Sequence, residues 1–254
     1  RTHYAEGFTT PTLDQLFRNN SDYIPNPGLS PEKSKTYEVG ADLAWNFVDA
    51  SLTYFHTKYE DKIIGVETNR PKPVGAGNLW QYQNLDGAVL AGFEFSFGVD
   101  LGAAFEQDFS LRPYAGFTYL TDRKNKDKRN VVSIDPGVLA STPEWTAAFG
   151  LTFEHPDINL STTLNGNYMG PMYTQDWSGA HSIDRGDMTP GNWVEQSGFT
   201  VWNWSLDKRL WDFEDKGNLG LRVEVNNLFD KEYAYVLDYP MPGRNFYVGV
   251  NYSY

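Results

Sequence analysis

Four histidines stand at His3, His56, His155 and His181, scattered along the chain, with no His-Glu-x-x-His and no paired spacing that would hold a catalytic metal. Carboxylates are many, but they fall singly on alternating stretches, so no acid–base dyad is legible. Gly75 and Gly77 lack the strand-to-helix setting of a phosphate-cradling loop. Asp184, Asp187 and Glu195 are possible calcium ligands without EF-hand spacing, so no metal site or cofactor is expected. The basic run Arg123-Lys124-Asn125-Lys126-Asp127-Lys128-Arg129 suits either a solvated loop tip or contact with lipopolysaccharide phosphates. The longest irregular stretch, 170–196, gathers Trp177, His181, Arg185, Met188 and Trp193. Structureless segments of that length are usually functional or disordered.

The elements that position these residues read as strands. Leu219, Leu221, Val223 and Val225 alternate with Gly220, Arg222, Glu224 and Asn226. Phe246, Val248, Val250, Tyr252 and Tyr254 alternate with Asn245, Tyr247, Gly249, Asn251 and Ser253. A period of two gives each strand one apolar and one polar face. The same alternation runs through Tyr37–Phe47, Phe93–Val99, Phe109–Tyr119, Trp145–Phe153, Ile158–Leu164 and Trp202–Leu210. Charges in mid-strand suit a wet lumen, and aromatics at both ends of an apolar face suit two interfacial girdles. Connections near 47–49, 101–108, 155–157 and 212–217 are short, whereas 9–34, 65–79, 122–142, 170–196 and 228–243 are long. This asymmetry predicts an all-β, antiparallel transmembrane β-barrel wall of about ten strands, with short periplasmic turns and long outer loops.

Composition agrees. The 254 residues carry a net charge of −12, which argues against nucleic acid, and no cysteine. Eight Trp and sixteen Tyr are many for this length. No run of about 18 apolar residues exists, so no transmembrane helix is expected. The chain begins at Arg1 without Met or signal peptide, as a processed product or fragment would.

Several segments carry a family resemblance. Asn226-Asn227-Leu228-Phe229-Asp230-Lys231-Glu232-Tyr233 and Pro242-Gly243-Arg244-Asn245-Phe246-Tyr247-Val248-Gly249-Val250-Asn251-Tyr252-Ser253-Tyr254 resemble the C-terminal end of TonB-dependent outer-membrane receptors. Phe8-Thr9-Thr10-Pro11-Thr12-Leu13-Asp14-Gln15-Leu16-Phe17 resembles the family's Phe-Arg-Ala-Pro-Thr-Leu-Asp-Glu-Leu-Tyr, with Thr9 in place of its Arg. Asn26-Pro27-Gly28-Leu29-Ser30-Pro31-Glu32-Lys33-Ser34 resembles its Asn-Pro-x-Leu-x-Pro-Glu-x-Ser. The family ends on Phe where this chain ends on Tyr254.

The resemblance implies that residues 1–254 form the C-terminal part of a receptor barrel of about 22 strands in the Gram-negative outer membrane. The plug domain is absent from the chain. Remaining strands and plug, from another chain or from a missing part of the same product, are implied partners. So are the TonB complex acting through the plug, the barrel-assembly machinery reading Phe246, Val248, Val250, Tyr252 and Tyr254, and a metal-chelate ligand. The implied function is transport of a scarce metal complex, most simply a ferric siderophore, with cobalamin next. Amphipathic aromatics and a few cations suit bulky chelates. Trp80, Tyr82, Trp177, His181, Arg185, Trp193, Tyr235 and Tyr239 are the candidates for ligand contact. Glu38, Asp42, Glu94, Arg112, Glu154, Asp207, Arg209, Arg222 and Glu224 are candidates to face the lumen and plug, paired with it or with one another. Two other readings stay open: a self-closed ten-stranded outer-membrane barrel enzyme, and a soluble aromatic-rich carbohydrate-binding β-sandwich.

Overall fold

Alternation along the chain becomes pairing across it. The computed structural model describes residues 1–85, 87–126, 137–176 and 192–254. Ten strands form one antiparallel sheet: β1 (Thr2–Thr9), β3 (Glu32–Trp45), β4 (Val48–Glu60), β7 (Ala88–Val99), β8 (Ser110–Asn125), β9 (Trp145–His155), β10 (Leu160–Met169), β13 (Phe199–Asp212), β14 (Asn218–Asn226) and β15 (Asn245–Ser253), hydrogen-bonded in that order. β1 and β15 are its terminal strands. Among the described residues five further strands lie outside this sheet. β2 (Tyr23–Ile24), β5 (Lys62–Pro71) and β6 (Asn78–Leu85) form a small sheet of order β2-β6-β5, and β11 (Met172–Asp176) pairs with β12 (Asn192–Gln196).

The chain divides into two compact units, the first of Arg1–Val39, Tyr54–Gly92 and Leu120–Thr142, the second of Gly40–Thr53, Phe93–Tyr119 and Pro143–Tyr254. Within the second, the registers align polar residues with polar ones. Ser110, Glu154, Ser161, Asp207, Arg222 and Gly249 form one continuous cross-strand row. The next row on that face is Arg112, Thr152, Thr163, Ser205, Glu224 and Tyr247. Between them, on the opposite face, run Leu111, Phe153, Thr162, Leu206, Val223 and Val248. A one-residue slip would exchange the faces, so the register is fixed by the pattern itself. At the β15 end of this apolar face Val248 and Val250 are 71% and 67% exposed. Trp204 carries its one polar atom on that face and donates from Nε1 to Thr162 Oγ1 at 2.9 Å.

The short connections hold small structured turns. Asp100 caps α2 (Leu101–Ala104), accepting from Ala103 N–H at 3.1 Å and from Ser110 Oγ at 2.8 Å. Burial works to raise its carboxyl pKa, but these hydrogen bonds outweigh it and hold the group below the ordinary carboxylate range. Between β13 and β14 a 3-10 turn, Glu214–Lys216, ends on Gly217 at φ 102°.

Four segments differ from the sequence expectation. Residues 65–79 are mostly not loop: β5 runs to Pro71 and β6 starts at Asn78. The sequence reads as one run from Ala50 through Ile64, but the wall strand ends at Glu60, because Asp61 turns at φ 56° and β5 pairs with β6. Trp80–Asp100, which the sequence reads as one strand, is likewise two, β6 and β7. Segment 9–34 contains α1 (Leu13–Phe17), whose Thr12 and Gln15 form a reciprocal capping box at 3.2 and 2.8 Å.

Candidate functional site

The small sheet of the first unit is where aromatic and cationic groups meet. β2 pairs in parallel with β6, setting Tyr23 beside Trp80. β5 pairs antiparallel with β6, setting Gly65 opposite Tyr82 and Glu67 opposite Trp80. Alternation then puts Tyr23, Trp80 and Tyr82 on one face and Ile24, Gln81 and Gln83 on the other. Tyr23 and Tyr82 stack at 5.3 Å. The Arg18 guanidinium lies 4.3 Å from the Tyr23 ring centroid and donates to the Tyr82 hydroxyl at 3.3 Å. Asp14, one turn earlier, pairs with Arg18 at 3.6 Å. Gly65 lies under the group, with Trp80 Cε3 and Tyr23 Oη each 3.6 Å from the position of an added Cβ.

Backbone acceptors and amide side chains lock the 20–30 segment onto this sheet. Asn26 Nδ2 donates to Tyr82 O at 2.8 Å, and Gln81 Nε2 to Pro25 O at 3.0 Å. Asn84 accepts from Ser30 N–H at 2.8 Å and donates to Ser30 O and Asp61 O at 2.9 and 2.7 Å. Lys72 ties the hairpin tip to Asp22 at 2.6 Å, and that contact, helped by Ser21, lowers the Asp22 carboxyl pKa. A groove of about 430 Å³ lies along the other face, lined by Ile24, Val66, Arg70, Gln81 and Gln83 among others.

The second unit holds a separate aromatic group. Phe199 contacts Tyr233 at 5.0 Å and Tyr235 at 5.5 Å, and the two tyrosines meet edge to face at 5.6 Å. Burial, and then Tyr235, push the Tyr233 hydroxyl pKa up, so it stays a neutral donor. Gln196 Nε2 donates to Ala234 O at 2.5 Å, joining β12 to the same segment, while its Oε1 is buried with no partner among the described residues. Trp193 sits on β12 opposite Gln175, and Tyr239 is exposed beyond a bridge to Val236.

Of the eight ligand candidates, Trp80 and Tyr82 therefore share one face with Tyr23. Neither lies on a strand of the ten-stranded sheet; both lie on β6 of the small sheet. Tyr235 joins Phe199 and Tyr233, whereas Trp193 and Tyr239 stand apart from that ring contact. Trp177, His181 and Arg185, with Asp184 and Asp187, lie outside the described residues. In the basic run, Arg123 donates to Thr142 O at 2.9 Å and Lys124 pairs with Asp122 at 2.5 Å, while Asp127–Arg129 lie outside the described residues. Sequence reasoning missed Arg18, Tyr23, Phe199 and Tyr233. Their partners are brought in by long-range pairing, and no local spacing signals it.

In the second unit Arg112, Glu154, Asp207, Arg209, Arg222 and Glu224 share the polar face by register. Arg112 pairs with Asp49, Arg222 with Glu224 at 2.5 Å and with Asp207 at 3.3 Å, and Arg209 with Asp212 at 3.3 Å. Ser161 donates to Glu154 at 3.4 Å. Glu38 lies opposite His3, and Asp42 follows on the same side of β3. Glu94 is in phase with Ser96, which bonds Ser51 at 2.7 Å. At the short-turn end of the second unit this face opens into a cavity of about 650 Å³, lined by Asp100, Glu154, His155, Asp207 and Arg209 among others. His155 Nδ1 is buried there with no hydrogen-bond partner among the described residues. Among the described residues no cluster of three or more His, Asp or Glu is placed to hold a metal. No described helix is long and apolar enough to cross a membrane, which says nothing of strands.

Residues 1–228 match the family described as TonB dependent receptor-like, beta-barrel. The chain belongs to that family. It is a β-stranded protein of the outer membrane. It is 27% identical over 250 residues to the probable TonB-dependent siderophore receptor PirA of Acinetobacter baumannii, covering 90% of this chain and 31% of that protein. It is 23% identical over 248 residues to the vitamin B12 transporter BtuB of Photobacterium profundum, covering 98% of this chain and 34% of that one. Its fold overlays the ferric enterobactin receptor of Pseudomonas aeruginosa with a TM-score of 0.71 at 22% identity, over 98% of this chain and 37% of that structure. The chain thus spans about a third of the length of the relatives it matches. Family membership removes the soluble sandwich reading.

Proposed function

We propose that residues 1–254 are the C-terminal part of a TonB-dependent receptor barrel and supply wall and outer loops for uptake of a scarce metal complex, a ferric siderophore first. The observation that carries this is the face formed by Arg18, Tyr23, Trp80 and Tyr82 on a sheet built from segments outside the wall. Rings stacked beside a guanidinium suit a ligand with flat faces and residual negative charge. The relative named as a siderophore receptor supports the same class, and the one named as a vitamin B12 transporter favours cobalamin as the second reading.

The remaining strands and a plug complete the barrel in this reading. β1 and β15 end the strand order, and an unpaired strand edge in lipid is not tolerated. The charged rows through Arg112 and Arg222 then face the plug, which passes the pull of TonB to the ligand. Phe246, Val248, Val250, Tyr252 and Tyr254 serve the assembly machinery. No catalytic step is assigned to any residue.

The test is ligand binding and uptake with the native protein. Tryptophan quenching by ferric siderophores and by cobalamin is compared for wild type, Trp80→Ala and Tyr82→Ala, alongside TonB-dependent uptake of labelled iron in cells. Saturable binding of one ferric chelate, weakened by both substitutions, is expected. Binding of neither ligand class, or uptake unchanged without TonB, overturns the proposal.

A further inference from the structure

β14 ends at Asn226, and the residue after it holds the long connection 228–243 by its neck. Asn227 is 3% exposed and sits at φ 53°, a left-handed conformation that Asn tolerates better than most residues. Its carboxamide reaches both limbs of the connection. Nδ2 donates to Lys231 O at 2.8 Å on the outgoing limb and to Pro242 O at 3.3 Å on the returning one, while Oδ1 accepts from Lys231 N–H at 2.8 Å. Its main chain is engaged as well. The N–H donates to Asn203 Oδ1 at 3.0 Å, and the C=O accepts from Asp230 N–H at 2.9 Å. A second clasp joins the same limbs: Asp230 Oδ1 accepts from Arg244 N–H at 2.7 Å, and an added Cβ at Gly243 would stand 2.9 Å from that oxygen.

The wall strands are registered without this knot. β14 and β15 pair continuously from Asn218 with Ser253 to Asn226 with Asn245, and Asn227 lies beyond the last pair. What the clasps fix is the stretch between Lys231 and Pro242. There Tyr233 and Tyr235 pack on Phe199 at 5.0 and 5.5 Å, and Met241 N–H returns to Tyr233 O at 2.9 Å. Phe199 is buried and anchors the group, whereas Tyr235 is 47% exposed, so part of its ring is open to a ligand. Ordering a connection of this length costs conformational entropy, and the neck bonds offset that cost before any ligand arrives.

We infer that Asn227 is a positioning residue for ligand capture: by clamping both limbs of 228–243 it holds Tyr235 in place to meet the chelate. Asn227 itself is covered and touches no ligand; it acts through that ring. An Asp of the same shape keeps the Oδ1 acceptor and tolerates the left-handed backbone, but it has no N–H to give Lys231 O and Pro242 O. The inference rests on the reading of residues 228–243 as ligand-facing, and the experiment below separates the two.

The test uses the native protein, purified in detergent. Hydrogen exchange read by mass spectrometry follows residues 228–243 against β14 and β15. Tryptophan quenching by a ferric tris-catecholate, a ferric tris-hydroxamate and cyanocobalamin gives affinities. The proteins are wild type, Asn227→Asp, Tyr235→Ala and the double variant. Asn227→Asp is expected to quicken exchange across 228–243 about tenfold with β14 and β15 unchanged, and to weaken chelate binding about tenfold, as for a loop in place one-tenth of the time. In the Tyr235→Ala background the same substitution is expected to cost less than about twofold. Gly243→Ala, whose Cβ presses on Asp230 Oδ1, loosens the neck from the second clasp and is expected to act in the same sense. Unchanged exchange in 228–243 overturns the clamp, and exchange quickened equally in β14 and β15 makes Asn227 a residue of the wall and overturns the inference. Quickened loop exchange with unaltered affinity, or equal losses with and without Tyr235, overturns the positioning role while the transport reading stands. A wild type that binds none of the three ligands removes the transport reading, and the inference falls with it.

Discussion

Tyr23 and Tyr82 stack with ring centroids 5.3 Å apart and planes 25° from parallel, and Arg18 touches both. This contact fastens the segment after β1 to the β5–β6 hairpin. An aromatic pair contributes about 0.5–1.5 kcal/mol beyond its buried area and a cation over a ring about 0.5–1 kcal/mol. Tyr82→Ala is therefore expected to raise the rate at which protease cuts within 9–34, in proportion to about 1–2 kcal/mol of lost packing. A double-mutant cycle with Arg18→Ala should return a coupling of about 0.5–1 kcal/mol. Additive single effects, with no coupling, would remove Arg18 from the cluster.

The hairpin tip adds a pH dependence. Lys72, and then Ser21, lower the Asp22 carboxyl pKa in the folded protein relative to its ordinary value. A carboxyl depressed on folding contributes stability above its unfolded pKa and loses it as pH falls through the folded value. Protease protection of the 72–77 tip is therefore expected to be full at neutral pH and to decline below the ordinary carboxylate range. Asp22→Asn should flatten that profile. A profile unchanged by the substitution assigns the pH response to another group.

The wall was legible because its signal is local. Leu221, Val223 and Val225 declare a face within one strand, and the registers then follow from matching faces across neighbours. The loop sheet was not legible for the opposite reason. β6 reads as a continuation of β7, since Trp80–Leu85 and Ala88–Val99 are both strand-like, and only its pairing with β5 and β2 separates them. Tyr82 was visible as an amphipathic aromatic, but its stack on Tyr23 depends on a parallel pairing that no spacing encodes. The polar row was visible as chemistry, yet the choice of Asp207 and Glu224 as partners of Arg222 needed the register.

Turn geometry gives a sharper test of assembly. Gly217 leaves the 3-10 turn before β14 at φ 102°, and an added Cβ would stand 2.1 Å from Ser253 O. A side chain there meets both a left-handed backbone and a backbone oxygen on the last strand. Gly217→Ala is expected to cost about 1–3 kcal/mol and to lower the fraction of heat-modifiable, folded protein in outer membranes. Gly75, also at positive φ but with nothing within 4 Å, should show the backbone part of the effect alone in Gly75→Ala. Equal losses at the two sites would leave the contact with Ser253 without consequence.

The two faces of β15 should answer to substitution in opposite ways. Val248 lies in the apolar row with Val223 and is 71% exposed, whereas its neighbour Gly249 lies opposite Arg222 with open space where a Cβ would stand. A cation on the lipid face near the midplane costs about 2–4 kcal/mol, while positions on the polar face tolerate polar groups. Val248→Arg is therefore expected to lower the midpoint of urea unfolding in lipid vesicles by the equivalent of that cost, and Gly249→Ser to leave it within about 0.5 kcal/mol. The contrast depends only on which way each residue points, so a tolerant Val248 beside an intolerant Gly249 would mean that the bilayer lies on the side of Arg222 and that the polar rows are not the lumen.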